Sequence, residues 1–131
     1  MQTILTLNNL TKKFGSLTAV DNLSLKINKG FVYGILGPNG SGKSTTLGML
    51  LNIVNKTAGN YHWFDGSGTT HRALKKVGAI IERPNFYPYM TARQNLNLVC
   101  KIKNVPSQKI NEKLKIVGLL NLSDYKFSTF S

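Results

Sequence analysis

The sequence predicts an α/β fold built around a phosphate-binding loop, and three observations predict it. The stretch Gly37-Pro38-Asn39-Gly40-Ser41-Gly42-Lys43-Ser44-Thr45 follows the pattern G-x-x-x-x-G-K-[ST]. It lies between the apolar run Phe31-Val32-Tyr33-Gly34-Ile35-Leu36 and the helix-forming Thr46-Leu47-Gly48-Met49-Leu50-Leu51, which is the strand, loop, helix order that the pattern requires. The character of the chain then changes at about residue 90, with mixed strands and helices before it and helices alone after it.

Taken in order, Ile4-Leu5-Thr6-Leu7, Leu17-Thr18-Ala19-Val20 and Leu23-Ser24-Leu25-Lys26-Ile27 read as strands. Asn8-Asn9, Gly15-Ser16, Asp21-Asn22 and Asn28-Lys29-Gly30 read as the turns that break them. Leu23, Leu25 and Ile27 alternate with polar residues, the mark of a strand with one wet face. Phe31 to Leu36 does not alternate and is expected to be a strand buried on both faces. A helix is expected from the loop to about Val54, ended by Asn55 to Asn60. Tyr61-His62-Trp63-Phe64 follows as a strand, Asp65-Gly66-Ser67-Gly68 as a turn, Thr70 to Lys76 as a short helix and Val77-Gly78-Ala79-Ile80-Ile81 as a second apolar strand. Prolines at 84 and 88 interrupt regular structure, so Arg83 to Met90 is an aromatic-rich loop. Thr91-Ala92-Arg93-Gln94 carries a capping-box pattern, and Leu96, Val99 and Ile102 follow at helical spacing. A second helix starts at Pro106-Ser107, with Ile110, Leu114 and Val117 on one face, and ends near Gly118.

With 131 residues the chain is one domain or part of one, and its hydrophobic content of 41% is ordinary for a globular protein. No apolar run approaches the roughly 20 residues of a membrane-spanning helix. The N-terminus lacks the basic start and long apolar segment of a secretory signal, so the expected compartment is the cytosol. The single cysteine, Cys100, is read as a small buried hydrophobe on a helix. Seventeen Lys and Arg against five Asp and Glu give a net charge of +12, which would attract nucleic acid, acidic lipid headgroups or other anions. The basic residues are scattered, with no dense run and no aromatic-interleaved RNA-binding signature, so no nucleic-acid partner is expected, although a basic nucleic-acid-binding module stays open as an alternative.

The glycines of the loop let the backbone turn tightly enough to aim N–H groups at phosphate oxygens, and the helix behind adds the positive end of its dipole. Lys43 would lie against the β and γ phosphates, and the Ser44 hydroxyl would serve a Mg²⁺ ion that bridges them. The loop by itself thus calls for a nucleoside triphosphate and Mg²⁺. Two further segments imitate known sites. Tyr61-His62-Trp63-Phe64-Asp65 has the outline of an apolar metal-binding strand ending in an acid, which keeps a small kinase or another phosphate-loop enzyme open as an alternative. His62 and His71 have no Cys or carboxylate at metal-ligand spacing and are read as packing or surface residues.

In order along the chain, Leu10-Thr11-Lys12-Lys13-Phe14-Gly15, Ala19-Val20-Asp21-Asn22-Leu23-Ser24-Leu25, Gly30 and the loop resemble the N-terminal half of an ABC transporter ATP-binding subunit. Val77 to Pro84, Phe86-Tyr87-Pro88 and Thr91 to Leu96 resemble the stretch that runs through that family's Q-loop into its helical subdomain, and the wording is nearest to exporters of the bacitracin and lantibiotic self-protection type. The resemblance covers essentially the whole chain. It implies a nucleotide-binding core with an N-terminal antiparallel β subdomain over residues 1–90 and the start of a helical subdomain over 91–131, truncated. It also implies that the cofactors are ATP and Mg²⁺, that Phe14 stacks on adenine, that Val20 packs near the ribose and base, and that residues 37–45 cradle the phosphates. Glu82 falls where the family usually has the Q-loop Gln and would offer a metal oxygen beside Ser44. Phe127-Ser128-Thr129-Phe130-Ser131 looks like the approach to the LSGGQ signature, with Phe130 and Ser131 at its Leu and Ser, so the resemblance implies that residues 1–131 bind nucleotide without the Walker B Asp and catalytic Glu that turn it over. The implied partners are a transmembrane permease subunit and a second ATP-binding subunit, and the implied place is the cytoplasmic face of the cell membrane.

Overall fold

A computed structural model of the protein describes residues 1–83 and 85–130. Pro84, one of the two prolines expected to interrupt regular structure, and Ser131, matched to the Ser of the signature, lie outside the described residues. The chain forms two compact units, Met1–Ile81 and Glu82–Ser131.

The first unit is a three-stranded antiparallel sheet with one helix of two turns and one short helix. Strands β1 (Thr3–Phe14) and β2 (Leu17–Asn28) are each 12 residues long and make a hairpin around Gly15-Ser16. Strand β3 (Ala58–Trp63) pairs with the other edge of β1, giving the order β2-β1-β3. Asn8-Asn9 and Asp21-Asn22, expected to break these strands, instead sit inside them as irregularities. Asn9 and Asn22 take φ of 48° and 47°, the left-handed conformation that Asn tolerates better than most residues. Side chains replace the ladder there. The Asn9 N–H donates to Ser24 Oγ at 2.9 Å, and the Asn22 N–H donates to Thr11 Oγ1 at 3.0 Å. Each bond keeps a bulged residue satisfied, so the strand runs on through it. Where β3 passes this irregular part of β1, Gly59 has φ 76° and a side chain there would run into the Asn9 carbonyl.

Helix α1 (Lys43–Leu50) is shorter than expected, because Asn52 at φ 60° ends it and the N–H groups of Ile53 and Val54 turn back to the Gly48 carbonyl. Its buried residues Met49 and Leu50 pack on Leu5, Leu7, Leu10 and Val20 of the hairpin to form the core. The Trp63 indole donates to the Leu50 carbonyl at 3.0 Å and so ties β3 to the end of α1. Helix α2 (Thr70–Leu74) is capped by the Thr69 hydroxyl, which accepts from the Arg72 N–H.

Two expected strands do not form. Phe31 to Leu36 and Val77 to Ile80 have no strand ladder, Leu36 is 94% exposed and Ile80 73% exposed. A strand needs a neighbour for its N–H and C=O groups, and among the described residues the sheet stops at β2 and β3. The apolar character of both runs is real all the same. Ile35 and Ile80 line, with Leu25, Leu50 and Trp63, an apolar cavity of about 330 Å³ in this unit.

The second unit is helical. Thr91 caps α3 (Ala92–Lys103) through a capping box in which its hydroxyl accepts from the Gln94 N–H and the Gln94 side chain accepts from the Thr91 N–H. Asn104 at φ 53° closes the helix. Helix α4 (Ile110–Ile116) starts after the single turn in which the Ile110 N–H reaches the Ser107 carbonyl, so it begins later than Pro106-Ser107 suggested, and Gly118 at φ 72° follows its end. Ala92, Ile110 and Leu114 form the core, with Leu96, Cys100 and Phe130 packed against it. Cys100 packs on this core as expected but is partly buried rather than buried. Residues 85–90 are irregular, as the sequence predicts.

Candidate functional site

The site is built on the hairpin. Between Lys12 and Lys13 the β1–β2 register slips by one, from Lys12↔Val20 to Lys13↔Thr18, which leaves Ala19 as an extra residue on β2. Such a bulge re-aims the backbone. The Ala19 carbonyl is aimed at Gly42, where φ is 90° and a Cβ would collide with that oxygen and lie 3.1 Å from Val20 Cγ2. Only glycine suits Gly42 on both counts. The hairpin therefore supports the last glycine of the loop directly, and Val20, expected near the base and ribose, is buried against the core with one methyl facing the loop.

The loop wraps its own lysine. Lys43 Nζ donates to the carbonyls of Gly37 at 2.6 Å and Pro38 at 2.8 Å, and to Ser41 Oγ at 3.3 Å. All three ammonium donors are engaged, and a turn from the Ser41 N–H to the Pro38 carbonyl closes the loop beneath them. Asn39 and Gly40 form the exposed tip, with Gly40 at φ 82°. The start of α1 has no side-chain cap and no acid in its first turn, and its first helical bond is from the Thr46 N–H to the Gly42 carbonyl. Among the described residues the N–H groups of Lys43, Ser44 and Thr45 consequently have no acceptor, and they lie at the positive end of the helix dipole. A phosphate chain supplies the acceptors that this arrangement lacks, so the residues fit the triphosphate of ATP. The Ser44 hydroxyl is exposed at the same helix start and offers a hard oxygen to a cation.

Phe14 ends β1 with its ring about half exposed, and Lys12 lies on the same side of the strand with Nζ 4.6 Å from the ring centroid. That lysine was unremarkable in the sequence beyond its charge. The signal that could have found it is its spacing of two from the aromatic, which puts both on one face of a strand.

Glu82 begins the second unit, is exposed and has φ 59°, a costly conformation for a residue with a Cβ. Ser44 and Glu82 thus belong to different units. Asp65 does not approach the loop's role: it closes a turn in which the Ser67 hydroxyl donates at 2.6 Å and the Ser67 N–H at 3.0 Å, and these bonds hold its carboxyl below the usual 3.8. The cavity that it lines together with Arg72 and Lys76 includes no residue of the loop. Among the described residues no group of three or more His, Cys, Asp and Glu could hold a metal ion.

In the second unit, sequence reasoning missed Asn95. It is 3% exposed, accepts from the Tyr87 N–H at 2.8 Å and donates to the carbonyls of Tyr87 and Thr91 at 3.1 Å each. One buried amide therefore shapes the aromatic loop on the first turn of α3. The chain's last stretch holds the other side, with Phe127 N–H on the Met90 carbonyl and Ser128 N–H on the Pro88 carbonyl. Among the described residues no helix is long and apolar enough to cross a membrane.

A family model described as ABC transporter matches residues 20–131. The bacitracin transport ATP-binding protein BcrA of Bacillus licheniformis is 40% identical over 122 residues, which are 91% of this chain and 40% of that protein. The lantibiotic transport ATP-binding protein SrtF of Streptococcus pyogenes is 38% identical over 128 residues, 98% of this chain and 56% of its own length. The chain thus spans about half the length of these relatives. Among solved structures, an ATP-binding cassette of an ABC transporter in its ADP conformation superposes with a TM-score of 0.77 at 25% identity, covering 100% of this chain and 60% of the other. A nucleotide-free cassette gives a TM-score of 0.75 at 26% identity over 98% of this chain and 59% of the other.

Proposed function

The chain belongs to the ABC transporter family, and from that premise we propose that it is the ATP-binding part of a subunit that powers export through a membrane permease. One observation carries the nucleotide role: a glycine loop whose lysine is gathered in place leads into a helix start with neither cap nor acid. On this reading residues 37–45 hold the phosphates, with Lys43 exchanging its carbonyl contacts for phosphate oxygens. Phe14 offers its exposed ring to the adenine, and Val20 packs beside the base and ribose. Ser44 and Glu82 offer oxygens to Mg²⁺. We extend the proposal to export as the direction, to a permease and a second ATP-binding subunit as partners, and to the inner face of the membrane as the place; the kinship with BcrA and SrtF, whose names describe bacitracin and lantibiotic transport, supports it.

Titration of the full chain with a non-hydrolysable Mg-ATP analogue tests the reading. Lys43→Ala removes a charge-assisted contact of roughly 1.5–3 kcal/mol, so affinity should fall about tenfold or more. Binding that is absent in the parent chain, or unchanged in the variant, would sink it. Replacing Glu82 by Gln in the same titration, with Mg²⁺ varied, separates the metal role from the phosphate role: weaker Mg²⁺ dependence is expected if the carboxylate serves the ion.

A further inference from the structure

Resting on this nucleotide-site reading, we propose that Lys12 is a second cationic contact for the nucleotide, held over the Phe14 ring until the base takes that face and releases the ammonium to the phosphates.

Three observations lead there. The ammonium stands 4.6 Å from the centroid of a ring that is itself half exposed, so cation and base compete for the same aromatic surface. Among the described residues no carboxylate pairs with Lys12. The first unit has just two acids, Asp21 and Asp65, and each is engaged nearby, Asp21 with the Asn22 amide at 2.9 Å and Asp65 with Ser67. Lys12 therefore holds a charge whose one partner is the ring that the base needs.

The place of Lys12 in the ladder completes the case. Its cross-strand partner is Val20, and Val20 Cγ2 is the side-chain atom that faces Gly42 of the phosphate loop. Lys12 thus lies two residues along the strand from Phe14 and directly across the ladder from Val20, the residue that faces the phosphate loop. On this proposal the long flexible side chain turns from the ring to the phosphates by rotation about its own bonds. A phosphate chain is the stronger partner, because an exposed cation–π contact is weak beside a charge-assisted bond to a phosphate oxygen. Binding of the base and recruitment of a second positive charge to the triphosphate become one event. Lys12 would then favour nucleotides with more phosphates over those with fewer, which Phe14 alone cannot do.

The test is a set of titrations of the full chain with Mg-ATP and with adenosine, on the parent, Lys12→Gln, Lys12→Arg and Lys43→Ala. Lys12→Gln should weaken Mg-ATP binding about tenfold, the size of one lost charge-assisted bond. Adenosine binding should hold or strengthen, because the ring face is no longer contested, and Lys12→Arg should restore most of the Mg-ATP affinity. Equal losses for Mg-ATP and adenosine in Lys12→Gln would show a structural role and overturn the proposal, as would no change in either. If Lys43→Ala weakens Mg-ATP while Lys12→Gln does not, Lys12 alone is misassigned. If the parent binds no nucleotide, the site reading falls and the Lys12 proposal with it.

Discussion

At Gly42 two constraints coincide: a φ of 90° that side chains avoid, and a carbonyl of Ala19 where a Cβ would have to go. Gly42→Ala should therefore cost about 1–3 kcal/mol from the backbone alone, before the collision is counted. For a unit of this size each kcal/mol lowers Tm by roughly 4–8 °C. A melting curve checks it, and a Tm within about 2 °C of the parent would mean that the hairpin does not bear on the loop. Lys43 illustrates the opposite case, a residue whose identity was plain from the sequence while its partners were not. The pattern requires a lysine there, but nothing in residue order says that its ammonium is held by the carbonyls of Gly37 and Pro38.

Among elements, the aromatic loop is shaped by a neighbour in space. Asn95 satisfies the Tyr87 N–H from inside the first turn of α3, while the capping box of Thr91 and Gln94 starts that helix independently. Asn95→Ala should leave the helix formed, free the Tyr87 amide and destabilise the unit by about 1–3 kcal/mol. Hydrogen exchange reads this directly: faster exchange at Tyr87 with α3 amides unchanged is expected, and equal protection in the variant would contradict it. The capping box itself was legible, because its two residues are three apart and contact each other through local geometry. The hairpin was legible as alternating Leu23, Leu25 and Ile27, yet its length was not, because Asn9 and Asn22 look like strand breakers until Ser24 and Thr11 supply the missing bonds across the ladder. Phe31 to Leu36 and Val77 to Ile81 were read correctly as apolar and incorrectly as strands, with Ile81 making no more than an isolated bridge. Hydrophobicity is a property of the run; a ladder belongs to the run and its neighbour together.

For the molecule as a whole, the change of unit between Ile81 and Glu82 has a measurable counterpart. The sequence contains two glutamates, Glu82 and Glu112; the first is exposed and irregular, the second lies within α4. A Glu-specific protease under native conditions should cut first after Glu82, since cleavage needs locally opened backbone. Mass spectrometry decides it, and an initial cut at Glu112 would show α4 to be the weaker segment. Folding time is where the strand order has its own effect. The hairpin closes through Gly15-Ser16 and can form within roughly 1–10 μs. Strand β3 reaches the other edge of β1 through pairs that run from Thr11↔Ala58 to Leu5↔Trp63, and the intervening segment contains the phosphate loop. Its closure must wait for a longer and entropically costlier search. The loop thus acquires its shape late on the way to the native state, on a hairpin that is already waiting for it.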